Sequence, residues 1–323
     1  MAEMTGPELS IVIVNWNTAD MLCACLDSVL ANLWGMDTEV FVVDNASTDG
    51  SQSRVRANYK SVKLIENTTN RGFAAANNQA LKLASGRFIL LLNSDTVVLG
   101  DVLRKSVDYL ENHPTVGAMG CRVLNTDGTM QPTCSRYPTI LNLLLQITGL
   151  SKLPGPAFFD RYQMRHWDRT TERNVEVISG CYLLLRGQVL RDVGLLDEDF
   201  FFFGEETDWC HRIAKAGWTL KFAPVGEIIH HGGGSVRRLN YQRDLMLSSA
   251  MVKLHRKNAG FLNALSVMAI VCGFNASRAF YWSLVSLVSR KESVKQRKQH
   301  FIGLVRNSAQ IWPKEGTWKF DKQ

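Results

Sequence analysis

Residues 9–17 read Leu9-Ser10-Ile11-Val12-Ile13-Val14-Asn15-Trp16-Asn17: a nearly unbroken apolar run closed by an Asn-Trp-Asn end. Such a run reads as a strand buried on both faces, with polar groups where it leaves the sheet. The same pattern returns at 40–43, 62–65, 88–92 and 116–119, each mostly β-branched or Leu. Between these runs, residues 21–31, 51–59, 73–84 and 102–112 carry the spacing of amphipathic helices. Strands alternating with helices predict an α/β fold, with a mostly parallel central sheet and crossover helices on its faces.

Beyond residue 120 the pattern loosens. Asp127-Gly128 marks a turn, and Pro132, Pro138, Pro154 and Pro156 punctuate a loop-rich stretch to about residue 174. Strands are predicted at 175–179, 182–186, 220–223 and 228–230, and a helix at 205–216 that ends at Gly217. From residue 240 onward the chain reads as helical. No internal repeat or low-complexity segment interrupts it.

The chain has 323 residues, 46% hydrophobic and 21% charged, with 24 Gly and 8 Pro, which excludes disordered, collagen-like and coiled-coil classes. Its seven Cys show no paired metal-ligand spacing, and residues 1–8 show no cleavable signal. The expectation is reduced thiols in a cytosolic compartment. Charge is divided sharply: residues 1–236 hold 21 Lys+Arg against 26 Asp+Glu (−5), residues 237–323 hold 16 against 4 (+12). A basic tail implies an anionic partner, nucleic acid or a lipid surface. Apolar content favours lipid: residues 261–288 carry one charge, Arg278, and Arg290, Lys291, Lys295, Arg297 and Lys298 follow. That composition predicts an interfacial helix or a helical hairpin in the headgroup region. A true span, packing on the rest of the chain and a dimer interface are the alternatives.

Ligands of open α/β sheets bind at the carboxyl ends of the strands. Three runs end there in polar residues: Asn15-Trp16-Asn17, Asp44-Asn45-Ala46-Ser47-Thr48-Asp49-Gly50, and Asn93-Ser94-Asp95. Each alone reads equally as a turn; three on one edge point to a binding site.

With these motifs on the page, the sequence resembles the family-2 inverting glycosyltransferases, which have the nucleotide-binding GT-A fold. Val42-Val43-Asp44-Asn45-Ala46-Ser47-Thr48-Asp49-Gly50 is similar to the family's nucleotide-contacting segment. Asn70-Arg71-Gly72-Phe73-Ala74-Ala75-Ala76-Asn77-Asn78 is similar to its second donor-binding segment, and Leu91-Leu92-Asn93-Ser94-Asp95 to its metal-binding carboxylate motif. Gly194-Leu195-Leu196-Asp197-Glu198-Asp199-Phe200-Phe201 and Glu205-Glu206-Thr207-Asp208-Trp209-Cys210 resemble its acceptor-side block. His230-His231-Gly232-Gly233-Gly234-Ser235 resembles the motif that closes the domain. The implied division is a catalytic domain over 1–236 and a basic helical region over 237–323.

The resemblance implies roles for these residues. A divalent cation, Mg²⁺ or Mn²⁺, would neutralise the donor diphosphate, held by Asp95 with His230 completing the shell. Many relatives carry a second carboxylate where this chain has Asn93, a departure that leaves Asp95 alone in the motif. Asp44 would accept a hydrogen bond from base or ribose, with Asn15, Asn17, Asn45, Ser47, Asn93 and Ser94 around the nucleotide-sugar. Arg71 would face a phosphate. Gly72 and the alanines after it would bring a helix N-terminus to the donor, or simply pack a helix. Asn78 is a further donor contact.

Glu206 matches the family's general base, with Glu205 as the alternative, and Asp208 would bind acceptor or hold its loop. Acidic residues complementing a helix N-terminus are the plainer reading of all three. Residues 200–203 would form an apolar wall beside the base, or core. The likeness leans to bacterial rhamnosyltransferases that use dTDP-L-rhamnose and a lipid-linked saccharide acceptor in envelope polysaccharide assembly. The expected place is the cytoplasmic face of the inner membrane, with no nucleic acid and with a homodimer contact open to the tail. UDP- or GDP-sugar donors, a non-catalytic nucleotide-sugar-binding scaffold and a nucleic-acid binder are the rival readings.

Overall fold

The computed structural model describes residues 6–153, 156–232 and 241–313. Its first apolar runs become β1 (Leu9–Asn15), β2 (Thr38–Asp44), β3 (Val62–Glu66) and β4 (Phe88–Asn93), joined by α1 (Ala19–Ala31), α2 (Ser51–Asn58) and α3 (Phe73–Leu81). β5 (Thr96–Val98), α4 (Val102–Asn112) and β6 (Val116–Leu124) follow, then β7 (Cys134–Ser135), α5 (Ile140–Ile147), β8 (Arg173–Asn174), β9 (Val177–Ile178) and β10 (Tyr182–Arg186). α6 (Gly187–Val193), α7 (Glu205–Lys215) and β11 (Thr219–His230) complete the body, and α8 (Tyr241–Ala259), α9 (Phe261–Val288) and α10 (Glu292–Arg306) form the tail.

The main sheet runs β3-β2-β1-β4-β10-β6-β11-β5, with β8 paired to β11. β3, β2, β1 and β4 are parallel throughout, as is β6 with β11. Register then gathers the polar strand ends. Asn15 lies opposite Asp44, Val14 opposite Asn93, and His230 opposite Thr96. Side chains alternate between two cores: Leu9, Ile11 and Ile13 pack with Leu22 and Leu90 on one face, while Val12 packs with Leu91, Trp209 and Phe222 on the other. Helices cover both faces, which is why the strands read as continuous apolar runs.

Several elements differ from expectation. β10 inserts antiparallel between β4 and β6, so the sheet is mixed there. The strands expected at 220–223 and 228–230 are one strand, β11, irregular between Phe222 and Glu227. The proline-punctuated stretch contains α5, whose first turn is capped by Thr139 Oγ1 accepting from Asn142 N at 3.2 Å. The strand expected at 175–179 keeps only Val177–Ile178 in a ladder with β7. All seven cysteines are free thiols. Pro154, Asn240, the Gly233-Gly234-Ser235 end of the last motif and the 236/237 boundary lie outside the described residues.

The tail does not hang from the body. Ala250 and Leu254 of α8 pack on buried Phe200, and His255 Nε2 meets the Pro138 carbonyl at 2.8 Å. Phe200 is therefore core, whereas Phe202 is 37% exposed. Leu245, Val252, Ala264, Val267 and Leu304 of α8, α9 and α10 share a separate core with Leu143 of α5. α9 is long and apolar enough to cross a membrane by length and composition. Leu262, Leu265, Phe280, Leu284 and Leu287 lie exposed along it.

Candidate functional site

The strand ends of β1 and β2 are laced together by their own polar side chains. Asn15 donates through Nδ2 to Asp44 Oδ2 at 2.9 Å and to Ser47 Oγ at 3.1 Å, and its Oδ1 accepts from Thr18 Oγ1 at 2.7 Å. Asp44 Oδ1 also accepts from Ser47 N (2.9 Å) and Gln52 Nε2 (2.7 Å). Asn17, in the left-handed region at φ 55°, takes Thr48 N on its Oδ1 at 2.8 Å, while its own N–H donates to Ser47 Oγ. Ser94 Oγ meets Thr18 Oγ1 at 3.0 Å. Asn45 donates to Asn70 Oδ1 (2.7 Å) and accepts from Arg71 N (2.9 Å).

These contacts correct part of the expectation. Asn15 and Asp44 are fully buried and Asn45 nearly so, with polar atoms engaged by protein groups, so they shape the rim. Asn78 is likewise closed: it holds Leu196 through both amide atoms (2.9 and 3.1 Å) and donates to Glu198 Oε1 at 3.0 Å. The first N–H of α3 is also taken, since Phe73 N donates to Phe201 O at 2.8 Å. Ala74, Ala75 and Ala76 are buried, which is plain helix packing. Gly72 permits that approach. It sits at φ +81°, and a Cβ there would lie 2.4 Å from Phe201 O. Arg71 presents an exposed side chain on the same rim.

Across the edge, the β4–β5 corner places Asp95 beside the end of β11. His230 Nε2 lies 3.2 Å from Asp95 Oδ1 and 3.2 Å from Asn93 Nδ2. Its Nδ1 meets Gln131 Oε1 at 2.6 Å. The donor direction follows from a chain of bonds starting at a carboxylate, which only accepts. Asp127 Oδ1 takes the Thr129 hydroxyl proton (2.6 Å), so Thr129 Oγ1 accepts from Asn125 Nδ2 (2.9 Å). Asn125 Oδ1 then accepts from Gln131 Nε2 (2.9 Å), leaving Gln131 Oε1 to accept from His230 Nδ1–H. The imidazole thus turns a lone pair at Nε2 toward Asp95. Asn93 Nδ2 can donate to that lone pair at 3.2 Å, and Asp95 Oδ1 lies at the same distance. This oxygen–nitrogen pair fits a divalent cation that takes one or two protein ligands and leaves the rest to substrate. Among the described residues, no group of three or more His, Cys, Asp or Glu could hold a metal.

Glu205 and Glu206 open α7 after Gly204, which is at φ +91°. Burial pushes the Glu205 carboxyl well above the ordinary range, and the neighbouring Glu206 charge adds to it. Burial also raises Glu206, but a backbone N–H and the hydrogen bond from Glu205 oppose the rise. Burial thus holds both carboxyls above the ordinary range, and the two titrate as a pair. Cys181, whose carbonyl accepts from Asn93 N at 3.3 Å, has its thiol pushed up to about 12 by burial, with the Asp95 and Glu206 charges adding to the rise. Tyr162, in the 156–166 loop, is also pushed up to about 12, by burial and by the Glu206 charge.

Asp208 is not available to a ligand. It is fully buried and bound by Arg212 Nε (2.8 Å), Lys257 Nζ (2.8 Å) and Asn258 Nδ2 (3.3 Å), so it ties α7 to α8. Sequence reasoning missed Thr18, Gln52, Gln131 and Lys257. None sits in a motif, and their roles arise only from contacts between residues far apart in the chain.

The sequence profile described as glycosyl transferase family 2 matches residues 10–193. An N-acetylglucosaminyl-diphospho-decaprenol L-rhamnosyltransferase of Mycobacterium tuberculosis is 27% identical over 216 residues, 62% of this chain and 68% of that protein. O-antigen biosynthesis protein RfbC of Myxococcus xanthus is also 27% identical, over 72% of this chain but 18% of its own length. In structure, a mannosyltransferase from Pyrobaculum calidifontis, solved with GDP-Man and Mn²⁺, superposes with a TM-score of 0.56. That likeness covers 97% of this chain and 89% of the mannosyltransferase at 18% identity. The fold is the GT-A glycosyltransferase fold, and over more than half its length the chain matches, and belongs to, glycosyl transferase family 2.

Proposed function

We propose that this glycosyltransferase inverts the anomeric centre as it moves L-rhamnose from dTDP-L-rhamnose to a lipid-linked saccharide at the cytoplasmic face of the membrane, in cell-envelope polysaccharide assembly. The observation that carries the reading is the meeting of Asp95 and His230 at 3.2 Å on the strand-end edge, in a chain whose α7 opens with two adjacent carboxylates, Glu205 and Glu206. The rhamnosyl donor and lipid-linked acceptor are supported by the name of the mycobacterial relative. UDP- and GDP-sugars are the alternative donors.

In this mechanism Glu206 takes the acceptor hydroxyl proton while the hydroxyl oxygen attacks the anomeric carbon from the face opposite the leaving diphosphate. Glu205 keeps its own proton and hydrogen-bonds Glu206, holding it in place. Asp95 and His230 would hold a divalent cation, which would supply neutralising charge for the donor diphosphate. The strand-end network of Asn15, Asn17, Asp44 and Ser47 shapes the donor rim, with Arg71 above it. The outward face of α9 and its following cations lie on the membrane surface. The deciding experiment incubates the protein with dTDP-L-rhamnose and a polyprenyl-diphosphate GlcNAc acceptor, with and without Mn²⁺. Metal-dependent product of inverted configuration supports the reading. Turnover with UDP- or GDP-sugars only discards the rhamnosyl donor, and no turnover with any donor discards the reading.

A further inference from the structure

A cavity of about 690 Å³ is lined by Arg136, Phe158, Arg161, His166, Arg173 and Lys221 among others. Lys221 precedes His230 by nine positions on β11, and none of Asp95, His230, Glu205 and Glu206 lines the cavity.

Its charge is one-sided. The only carboxylate in its wall, Glu172, is engaged by Lys221 Nζ at 3.1 Å and Tyr109 OH at 2.9 Å. Arg136, Arg161 and Arg173 have no carboxylate partner among the described residues. Arg161 lies over the Phe158 ring at 5.5 Å and Arg173 over Trp167 at 4.9 Å, contacts that orient each guanidinium. Arg161 Nε is buried with no hydrogen-bond partner. Arginines held together without carboxylates, in a body whose net charge is −5, match a phosphate group.

Phe158 of the cavity wall and the described residues that precede it in the chain, its lip, expose apolar side chains. Leu150, Leu153 and Phe158 are 39%, 57% and 50% exposed, and Leu141 and Leu144 of α5 are also exposed. Arg165 Nη2 donates to Ser151 O at 3.0 Å and ties this stretch to the cavity wall. Leu143, on the other side of α5, packs with Ala264 and Val267 of α9. The lip thus adjoins the helix whose outer face lies on the membrane in the reading above. A phosphate flanked by apolar surface describes a lipid headgroup.

We propose that this cavity binds the phosphate of an anionic phospholipid, so that residues 141–153, Phe158 and the arginines beside them form a second membrane contact. The inference rests on the membrane-surface part of the proposed function.

Flotation of the full chain with phosphatidylcholine vesicles, and with phosphatidylcholine–phosphatidylglycerol vesicles, tests it. The parent protein should partition more strongly onto the anionic vesicles. Each arginine near an anionic surface is worth about fivefold, so Arg161→Gln with Arg173→Gln should lose about 25-fold there. Lys82→Gln with Arg191→Gln, the same charge change at exposed sites elsewhere, should lose far less. Phe158→Ser, which leaves the charge intact, should weaken partition onto both vesicles. Melting temperatures equal to the parent's show that the variants are folded. Parent-like flotation of both the double-arginine variant and Phe158→Ser overturns the pocket while the membrane reading stands. Equal loss in the Lys82/Arg191 control also overturns it, in favour of a diffuse charge effect. Saturable binding of soluble glycerol phosphate with no preference for anionic vesicles overturns the lipid assignment. No flotation of the parent on either vesicle overturns both readings together.

Discussion

Replacing Gln131 by Leu removes the acceptor that keeps the His230 proton on Nδ1. With no partner at Nδ1, the proton moves to Nε2, where Asp95 Oδ1 waits at 3.2 Å, and the lone pair that would bind a cation is gone. To bind metal the variant must reverse that shift. Breaking the new charge-assisted Nε2–H bond to Asp95 costs about 1.5–2 kcal/mol, and leaving Nδ1–H unpaired adds about 1 kcal/mol. A total of about 2.5–3 kcal/mol corresponds to a loss of metal affinity of about 70- to 150-fold, near the range for outer-shell partners of metal-bound His. Mn²⁺ titration followed by electron paramagnetic resonance, with dTDP present, reads the affinity. ¹⁵N shifts of His230 in metal-free protein read the tautomer directly. Gln131→Glu, which restores an acceptor, should return both to near the parent. A Gln131→Leu protein that binds Mn²⁺ within twofold of the parent, with the proton still on Nδ1, refutes the reasoning.

The carboxylate pair gives opposite predictions for its two members. Glu206→Gln should lower kcat by at least about 10²-fold, as expected for a general base. Glu205→Gln should retain turnover and leave the rising limb of the kcat profile close to the parent's, because the amide, like the protonated Glu205 of the proposed mechanism, is neutral and can donate to Glu206; stopped-point assays across pH check both. Stability should move the other way with pH. Both folded-state values lie above the unfolded one, so the folded state binds more protons. The contribution is full below about pH 4.3 and is lost as pH rises through the raised values, at up to about 1.4 kcal/mol per pH unit per proton. Urea unfolding should show that fall in the parent and a flatter curve in the Glu205→Gln/Glu206→Gln double variant. Lys257→Met removes one of two cations from fully buried Asp208. It should destabilise by about 2 kcal/mol, less than a full buried-pair break because Arg212 remains and Lys257 is partly exposed. A change below about 0.5 kcal/mol in chemical denaturation would show that α8 is held mainly by its apolar contacts.

What the sequence made legible follows from how local each signal is. β1 to β4 and their helices were readable because a strand buried on both faces needs an apolar run, and such a run needs no knowledge of its neighbours. β10 reads as a strand equally well, but its antiparallel direction depends on which strands flank it, and no residue within Tyr182–Arg186 encodes that. The site shows the same division. Asp95 and His230 could each be singled out from motif resemblance, and the structure brings them within 3.2 Å. The motif could not show that His230 is oriented by a hydrogen-bond chain through Gln131, Asn125 and Thr129 to Asp127, because the chain's direction is set by one exposed carboxylate on a turn. Asp208 makes the converse case. Its place three residues after Glu205 made it resemble a ligand-binding acid, yet Lys257, forty-nine residues on, claims its carboxylate for the joint between body and tail. A motif names the residues that chemistry needs, and long-range contacts decide which keep a free polar atom. By that test, Asn15, Asp44, Asn78 and Asp208 hold the frame with polar atoms engaged inside the protein, and Glu206, Asp95 and His230 are the residues to which the proposed mechanism gives the chemistry.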